Sequence, residues 1–295
     1  MNLEYKVTKN NKYKTIKSIL QSHFDLSNRL ITKLKKNNNI FLNNNHTNIN
    51  QEINPGDTIV VDLNFEESSD NIIPTKMDLN ILYEDECLII VDKAATIPVH
   101  PSILHYSDSL SNGIKYYYEM HNINKKIRPV NRLDKDTSGI VVFAKNEYIQ
   151  ESLIKQMKFG KFKKYYLAIL EGFLEKNTGT INAPISRKEN SIIEREINSD
   201  GAKAITHYKL IKKITNNNQN LSLVEFKLET GRTHQIRVHS KYINHPILGD
   251  SLYGNTSNII SRQALHAYKI CFIHPISNKL LTIESKMPYD MLNII

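Results

Sequence analysis

From Ile81 onward the chain is a succession of short apolar runs, and this feature restricts the possible folds more than any other. ILYED and ECLIIVDK read as a hairpin, SGIVVFAKN and FKKYYLAILEG as further strands, and AITHYKLIKKI, LSLVEFKLET, HAYKICFI and LLTIES as later ones. Runs of this length, alternating or continuously apolar and bounded by polar turns, are strand signals. Helical spacing is confined to NEYIQESLIKQMK and to a helical turn around THQIRVHSKYI. The strict strand-helix alternation of a parallel sheet is missing. The expected class is therefore α+β, with a mixed, mainly antiparallel sheet.

The beginning of the chain follows a different rule. Residues 13–36 place Ile16, Ile19, Leu20, Phe24, Leu26, Leu30, Ile31 and Leu34 at helical spacing, which predicts two short helices. Ser27 is positioned to cap the second, whose polar side carries Arg29, Lys33, Lys35 and Lys36. IFLNN and the run after the Pro55-Gly56-Asp57 turn read as strands. Residues 66–80, EESSDNIIPTKMDLN, are polar and without sustained period and read as a linker. The expected organisation is a small α/β domain over residues 1–65, a linker over 66–80, and a main domain over 81–295.

Lys and Arg together number 39 against 30 Asp and Glu, a formal charge of +9. Such a field attracts polyanions, nucleic acid foremost, although a basic but unspecialised surface has the same charge. The two cysteines, Cys87 and Cys271, fall in apolar runs and are expected to be buried thiols. Neither their number nor their spacing makes a disulfide framework or a zinc site. The polar start MNLEYKVTKNNKYK lacks the apolar centre of a signal peptide, and no run approaches the length of a membrane span. The expectation is a cytoplasmic, monomeric protein.

Three distant stretches concentrate charged, glycine and aromatic residues. RLDKDTSG, residues 132–139, precedes an apolar strand; it reads as a reactive loop or as a salt-bridged turn. In KFKKYYLAILEG, Lys161, Lys163 and Lys164 interleave with Phe162, Tyr165 and Tyr166. Cations and ring faces together suit RNA phosphates and unpaired bases, while the bland alternative is a half-buried strand. ETGRTHQIRVH gathers Arg232, His234, Gln235, Arg237 and His239 around a glycine turn.

In order and wording these stretches resemble the motifs of the RluA-type pseudouridine synthases. The resemblance continues through LNILYEDECLIIVDK, VHPS, HPILGDSLYG and ALHAYKICFIHP, and so covers about residues 79–288. It implies an isomerase of uridines in structured RNA, with Asp134 as the essential carboxylate. Arg237 is implied as its partner, Ile236 as an apolar contact to the base and Tyr166 as the stacking ring; Arg132 and Arg232 support the site, Arg232 being the less favoured substitute for Arg237. The first domain is similar to a small RNA-binding module named after a ribosomal small-subunit protein, with Arg29, Lys33 and Lys36 on its basic helix. Two departures stand out. Asn131 occupies a position where many relatives have His, and Ala94 and Thr96 stand where relatives often have Pro and Gly.

The implied reaction breaks the bond between the sugar and a ring nitrogen, turns the base, and rejoins it through a ring carbon that then loses a proton. It needs neither cofactor nor metal. Asp134 attacks the anomeric carbon or removes a neighbouring sugar proton; the residues do not choose between these routes. The target uridine is expected to be flipped out of its stack. The spacings of His234 with His239 and of His266 with His274 form no ligand motif. Large-subunit ribosomal RNA is the favoured partner by family analogy, with transfer RNA and a non-catalytic ribosome-assembly role as alternatives.

Overall fold

The computed structural model describes residues 1–216 and 218–295. The first unit consists of β1 (Asn2–Lys6), α1 (Ile16–Ser22), α2 (Asn28–Lys36), β2 (Ile40–Leu42), β3 (Asn45–His46) and β4 (Thr58–Asp62). Its antiparallel sheet has the order β1-β4-β2-β3. Thr15 and Ser18 form a capping box at the start of α1, and the Ser27 hydroxyl accepts from the Leu30 N–H at 3.2 Å to start α2. Ile16, Ile19 and Leu20 and then Leu30, Ile31 and Leu34 face inward against Ile59 and Val61, so this unit has its own core. Strand β1 carries one inward residue, Leu3, in a burial pattern otherwise half-exposed or exposed; a single apolar residue leaves too little alternation to read as a strand.

The second unit runs through β5 (Asn80–Glu84), β6 (Leu88–Lys93), α3 (Leu110–Met120), β7 (Ser138–Ala144), α4 (Glu147–Lys158) and β8 (Lys163–Glu171). It continues with β9 (Thr178–Asn182), β10 (Ile185–Arg187), β11 (Arg195–Ile197), β12 (Ile205–Asn216), β13 (Gln219–Leu228), α5 (Gln235–Tyr242), β14 (Leu265–Ile273), β15 (Leu280–Glu284) and α6 (Tyr289–Leu292). Among the described residues the main sheet has the order β5-β6-β7-β14-β8-β13-β12-β9, with β15 also paired to β14. Every pairing in it is antiparallel except β7 with β14. The mixed, mainly antiparallel α+β architecture expected from the strand runs is what forms.

Strands β6 and β7 are buried on both faces. Ile89, Val91, Val141 and Phe143 enter one core, while Leu88, Ile90, Ile140 and Val142 enter the other with Ile149 and Leu153 of α4. Two-sided burial explains why these strands read as continuous rather than alternating apolar runs. Cys87, expected in a strand, lies in the turn before β6 and is buried; Cys271, expected to be buried, is only half-buried on β14. Among the described residues no helix is long and apolar enough to cross a membrane.

Residues 66–79 form neither helix nor strand, yet they are anchored. The Glu67 side chain, 8% exposed, pairs with Lys33 of α2 and with Arg128 at 2.7 Å, and Ser69 Oγ accepts from the Ile127 N–H at 3.0 Å. Arg29 and Lys33 also approach Glu147 at the start of α4, at 3.3 and 3.9 Å. Two of the three basic residues assigned to RNA on α2, Arg29 and Lys33, thus tie the first unit to the second, although the Arg29 side chain remains exposed, as does Lys36. Burial opposes ionisation of Glu67, but the hydrogen bonds from Arg128 and Lys33 outweigh it and hold its pKa below the ordinary carboxylate value. Glu67→Gln is expected to cost about 2 kcal/mol at neutral pH. Because the folded pKa is depressed, this stabilisation is complete above the ordinary value of 4.5 and is lost as pH falls through the folded value. Denaturant melts across that range should show the gap between wild type and Glu67→Gln closing in acid; a constant gap rejects the ion-pair account.

Candidate active site

The loop carrying Asp134 is held by groups that act on its backbone. Lys93, 1% exposed, donates from Nζ to the carbonyls of Lys135 at 2.8 Å, Ala94 at 2.8 Å and Ile97 at 2.7 Å. Burial pushes its pKa down to about 7, with the charges of Asp136 and Asp134 among the opposing influences. Arg262 Nη1 donates to the Asp136 carbonyl at 3.2 Å. Gly139 closes the motif at φ 115°, where a Cβ would stand 2.3 Å from the Ala267 carbonyl oxygen on β14. Only glycine allows this approach, through which the loop enters the parallel β7–β14 pair. Asn131 replaces a backbone partner: Nδ2 donates to the Ile140 carbonyl and Oδ1 accepts from the Val142 N–H, both at 2.9 Å. The departure at this position is therefore satisfied within the loop's own scaffold.

Opposite the loop stands α5. Its Arg237 binds Asp250 twice, Nε to Oδ2 and Nη2 to Oδ1, each at 2.8 Å. The remaining edge, Nη1, reaches Asp134 Oδ2 at 3.3 Å. Asp250 is 0% exposed and also accepts from the N–H groups of Leu252 and Tyr253, each at 3.1 Å. Burial works against the charge of Arg237, but Asp250 first and Asp134 second more than compensate, and its pKa is raised. Arg237 thus belongs primarily to Asp250, while the Asp134 side chain stays 28% exposed toward the pocket.

That pocket, about 70 Å³, is lined by Leu133, Asp134, Tyr166, Ile236, Arg237 and Leu265, with Arg132 and Arg232 among its other walls. Tyr166 lies on β8, buried, and burial together with the Asp134 charge raises its pKa so that its hydroxyl remains protonated. Arg132 is exposed; Arg232 donates from Nε to the Lys203 carbonyl at 2.9 Å. A carboxylate facing a tyrosine and apolar walls is suited to hold a flat, uncharged base and to present an anion to its sugar. The lysine-tyrosine stretch divides between the two faces of β8. Lys164 and Tyr166 share the face that lines the cavities beside Asp134, whereas Lys163 pairs across to Cys271 from the other face and Lys161 lies by Phe24 and Tyr148. The structure brings together Asp134, Tyr166, Ile236, Arg237, Arg132, Arg232 and Lys164, and leaves Lys161, Lys163, Arg29, Lys33 and Lys36 elsewhere.

His234 is a member of the site to which the sequence, though it placed the residue in the third charged stretch, assigned no role. It caps α5 at φ 58° in the left-handed region, a strained conformation for a side-chain-bearing residue. Its Nδ1 meets the Tyr253 hydroxyl at 2.8 Å, and that hydroxyl accepts from the Arg195 N–H at 2.8 Å. The other nitrogen, Nε2, stands 3.8 Å from Asp134 Oδ2. Burial lowers the pKa of His234 despite the nearby Asp134, so at neutral pH the ring is uncharged. Its conformation, not its residue type, marks it, and a sequence does not display φ. His239 is instead bound to Thr206 and to the Ala183 carbonyl, at 2.8 and 2.9 Å. Asp85, Cys87 and His274 come within 4.8 Å of one another. Asp85 already accepts from Tyr83, His274 and the N–H groups of Cys87 and Leu88, so its lone pairs are engaged.

Residues 87–242 match the family model of RNA pseudouridylate synthases. An uncharacterised RNA pseudouridine synthase of Bacillus subtilis (strain 168), YhcT, is 40% identical over 94% of this chain and 91% of its own. The ribosomal large subunit pseudouridine synthase D of Zymomonas mobilis is 39% identical over 74% of this chain and 72% of its own. Among solved structures, human RNA pseudouridylate synthase domain containing 1 superposes with a TM-score of 0.60 at 25% identity, covering 72% of this chain and 84% of that one. The fold, the site and this similarity make the chain a member of the RluA-type RNA pseudouridine synthase family. It is an isomerase that acts on uridine in RNA.

Proposed function

We propose that the chain modifies uridines of large-subunit ribosomal RNA, as a cytoplasmic monomer, with Asp134 as the catalytic carboxylate. The observation that carries the catalytic role is the position of Asp134, partly exposed in the wall of a pocket that Tyr166 and Ile236 also line and 3.3 Å from a guanidinium that Asp250 already orients. The C1′–N1 bond of a flipped uridine breaks as Asp134 attacks C1′ or removes the proton from C2′. The freed base turns and C5 joins C1′, displacing Asp134 from C1′ in the first route or adding to the glycal, whose C2′ regains a proton, in the second. The C5 proton then leaves and N1 takes one up, so that the product is an isomer of the starting uridine. The similarity to ribosomal large subunit enzymes supports the choice of RNA. The exposed Lys35 and Lys36 of the first unit extend the basic surface available to phosphates.

The test is incubation of the protein with unmodified large-subunit ribosomal RNA and with transfer RNA, without added cofactor, followed by chemical mapping of pseudouridine. Modification of the ribosomal RNA at defined uridines is expected; modification of transfer RNA alone rejects the target. Tyr166 carries a second expectation. Loss of a base stack costs about 1–3 kcal/mol, so Tyr166→Ala should weaken substrate binding about tenfold or more while Tyr166→Phe keeps most of it. Equal binding by both variants and wild type rejects stacking.

A further inference from the structure

A second cavity of about 520 Å³ opens beside the catalytic pocket and shares Arg132, Tyr166, Leu228 and Arg232 with it. We infer that this annex binds the phosphodiester next to the target uridine, with the Lys164 ammonium as its central contact. This rests on reading the Asp134 pocket as the place that holds the uridine.

Four cationic side chains, Arg132, Lys158, Lys164 and Arg232, line the annex against a single carboxylate, Glu229. That carboxylate is turned to His207, whose Nε2 lies 2.6 Å from Glu229 Oε1. Lys164 is half-buried on β8, and burial alone lowers its pKa, with no carboxylate opposing the effect. An amine desolvated without a counter-charge is costly as the cation and favours an incoming anion. Gly231 keeps the wall open: a Cβ there would meet Lys164 Nζ at 3.0 Å. Lys164 and Tyr166 are two residues apart on one strand face, a separation of roughly 7 Å. If Tyr166 stacks on the base, Lys164 lies within a nucleotide's length of it, in the cavity that adjoins the pocket. Val130, Met157, Phe162 and Leu228 form the apolar part of the annex, suited to a sugar rather than to a second ion.

The probe is the trinucleotide ApUpA, compared with versions in which the phosphodiester 5′ or 3′ of the uridine is an uncharged methylphosphonate. Binding to the wild-type protein is read by calorimetry or NMR titration. One of the two neutral versions should bind roughly tenfold more weakly than ApUpA, as expected for loss of one charge-assisted contact. In Lys164→Met that discrimination should vanish, and Lys164→Arg should restore part of it. Equal binding of all three probes by the wild type, no binding of ApUpA at any attainable concentration, or full discrimination in Lys164→Met overturns the inference. The wild-type comparison needs no variant to fold. An annex that discriminates in a protein whose Asp134→Asn form still makes pseudouridine would refute the catalytic reading and leave the phosphate site standing. The reverse pattern, activity lost with Asp134 and no phosphate discrimination, refutes the annex alone.

Discussion

Asp134→Asn is expected to reduce pseudouridine formation by about 10³-fold while leaving the melting curve close to that of wild type. The substitution keeps the size of the side chain and one oxygen for Arg237, but removes the charge that either attacks C1′ or accepts the sugar proton. A factor of that size corresponds to about 4 kcal/mol of transition-state stabilisation. Stability is spared because Arg237 keeps both bonds to Asp250 and because the Asp134 side chain is 28% exposed. Single-turnover conversion of the mapped ribosomal RNA, followed by chemical labelling, measures it. Retention of the full rate in a folded variant removes Asp134 from the mechanism.

Asp250→Ala should do the opposite, damaging the fold first and the chemistry through it. Asp250 is 0% exposed and neutralises a guanidinium that is itself buried. Removing it strands the Arg237 charge and frees the N–H groups of Leu252 and Tyr253 that its Oδ1 now receives. Loss of one partner from a buried pair costs about 3–5 kcal/mol, read as a lower denaturant midpoint. The guanidinium would then turn fully to Asp134 and hold it out of reach of the sugar, so activity should fall even at temperatures where the variant is folded. A melt matching wild type means that Asp250 does not carry the burial of Arg237.

Much of the fold is legible in the sequence. The strands containing LIIV and GIVVF are set by local apolar runs and the start of the second helix by Ser27, whereas the Thr15 cap of the first emerged only in the structure. The α+β class follows from the order of those elements, because strand and helix signals are short-range and have fixed periods. Elements with weak periodicity escaped: β1 buries one residue, and in α3 the buried positions include Ser111, Asn112 and Gly113. Ser111 Oγ bonds the Val99 carbonyl at 2.7 Å, and Asn112 Nδ2 those of Ile73 and Tyr106 at 2.8 and 3.1 Å, so these positions are satisfied by contacts from distant chain.

The sequence alone determined the fold class and, through the family motifs, which short stretches meet at the pocket beside Asp134. Tertiary structure decided the rest. It separated Lys164 from Lys163, because adjacent residues of a strand face opposite sides, and it paired Lys33 with the buried Glu67 and brought the still exposed Arg29 beside Glu147. It paired Arg237 with Asp250, 13 residues away, and only then with Asp134, 103 residues away. It also placed His234 in a left-handed turn beside that carboxylate. The physical reason is that periodicity records which face of its own element a residue occupies, whereas the partner of a buried charge is set by whichever distant segment the packed core brings within a few ångströms.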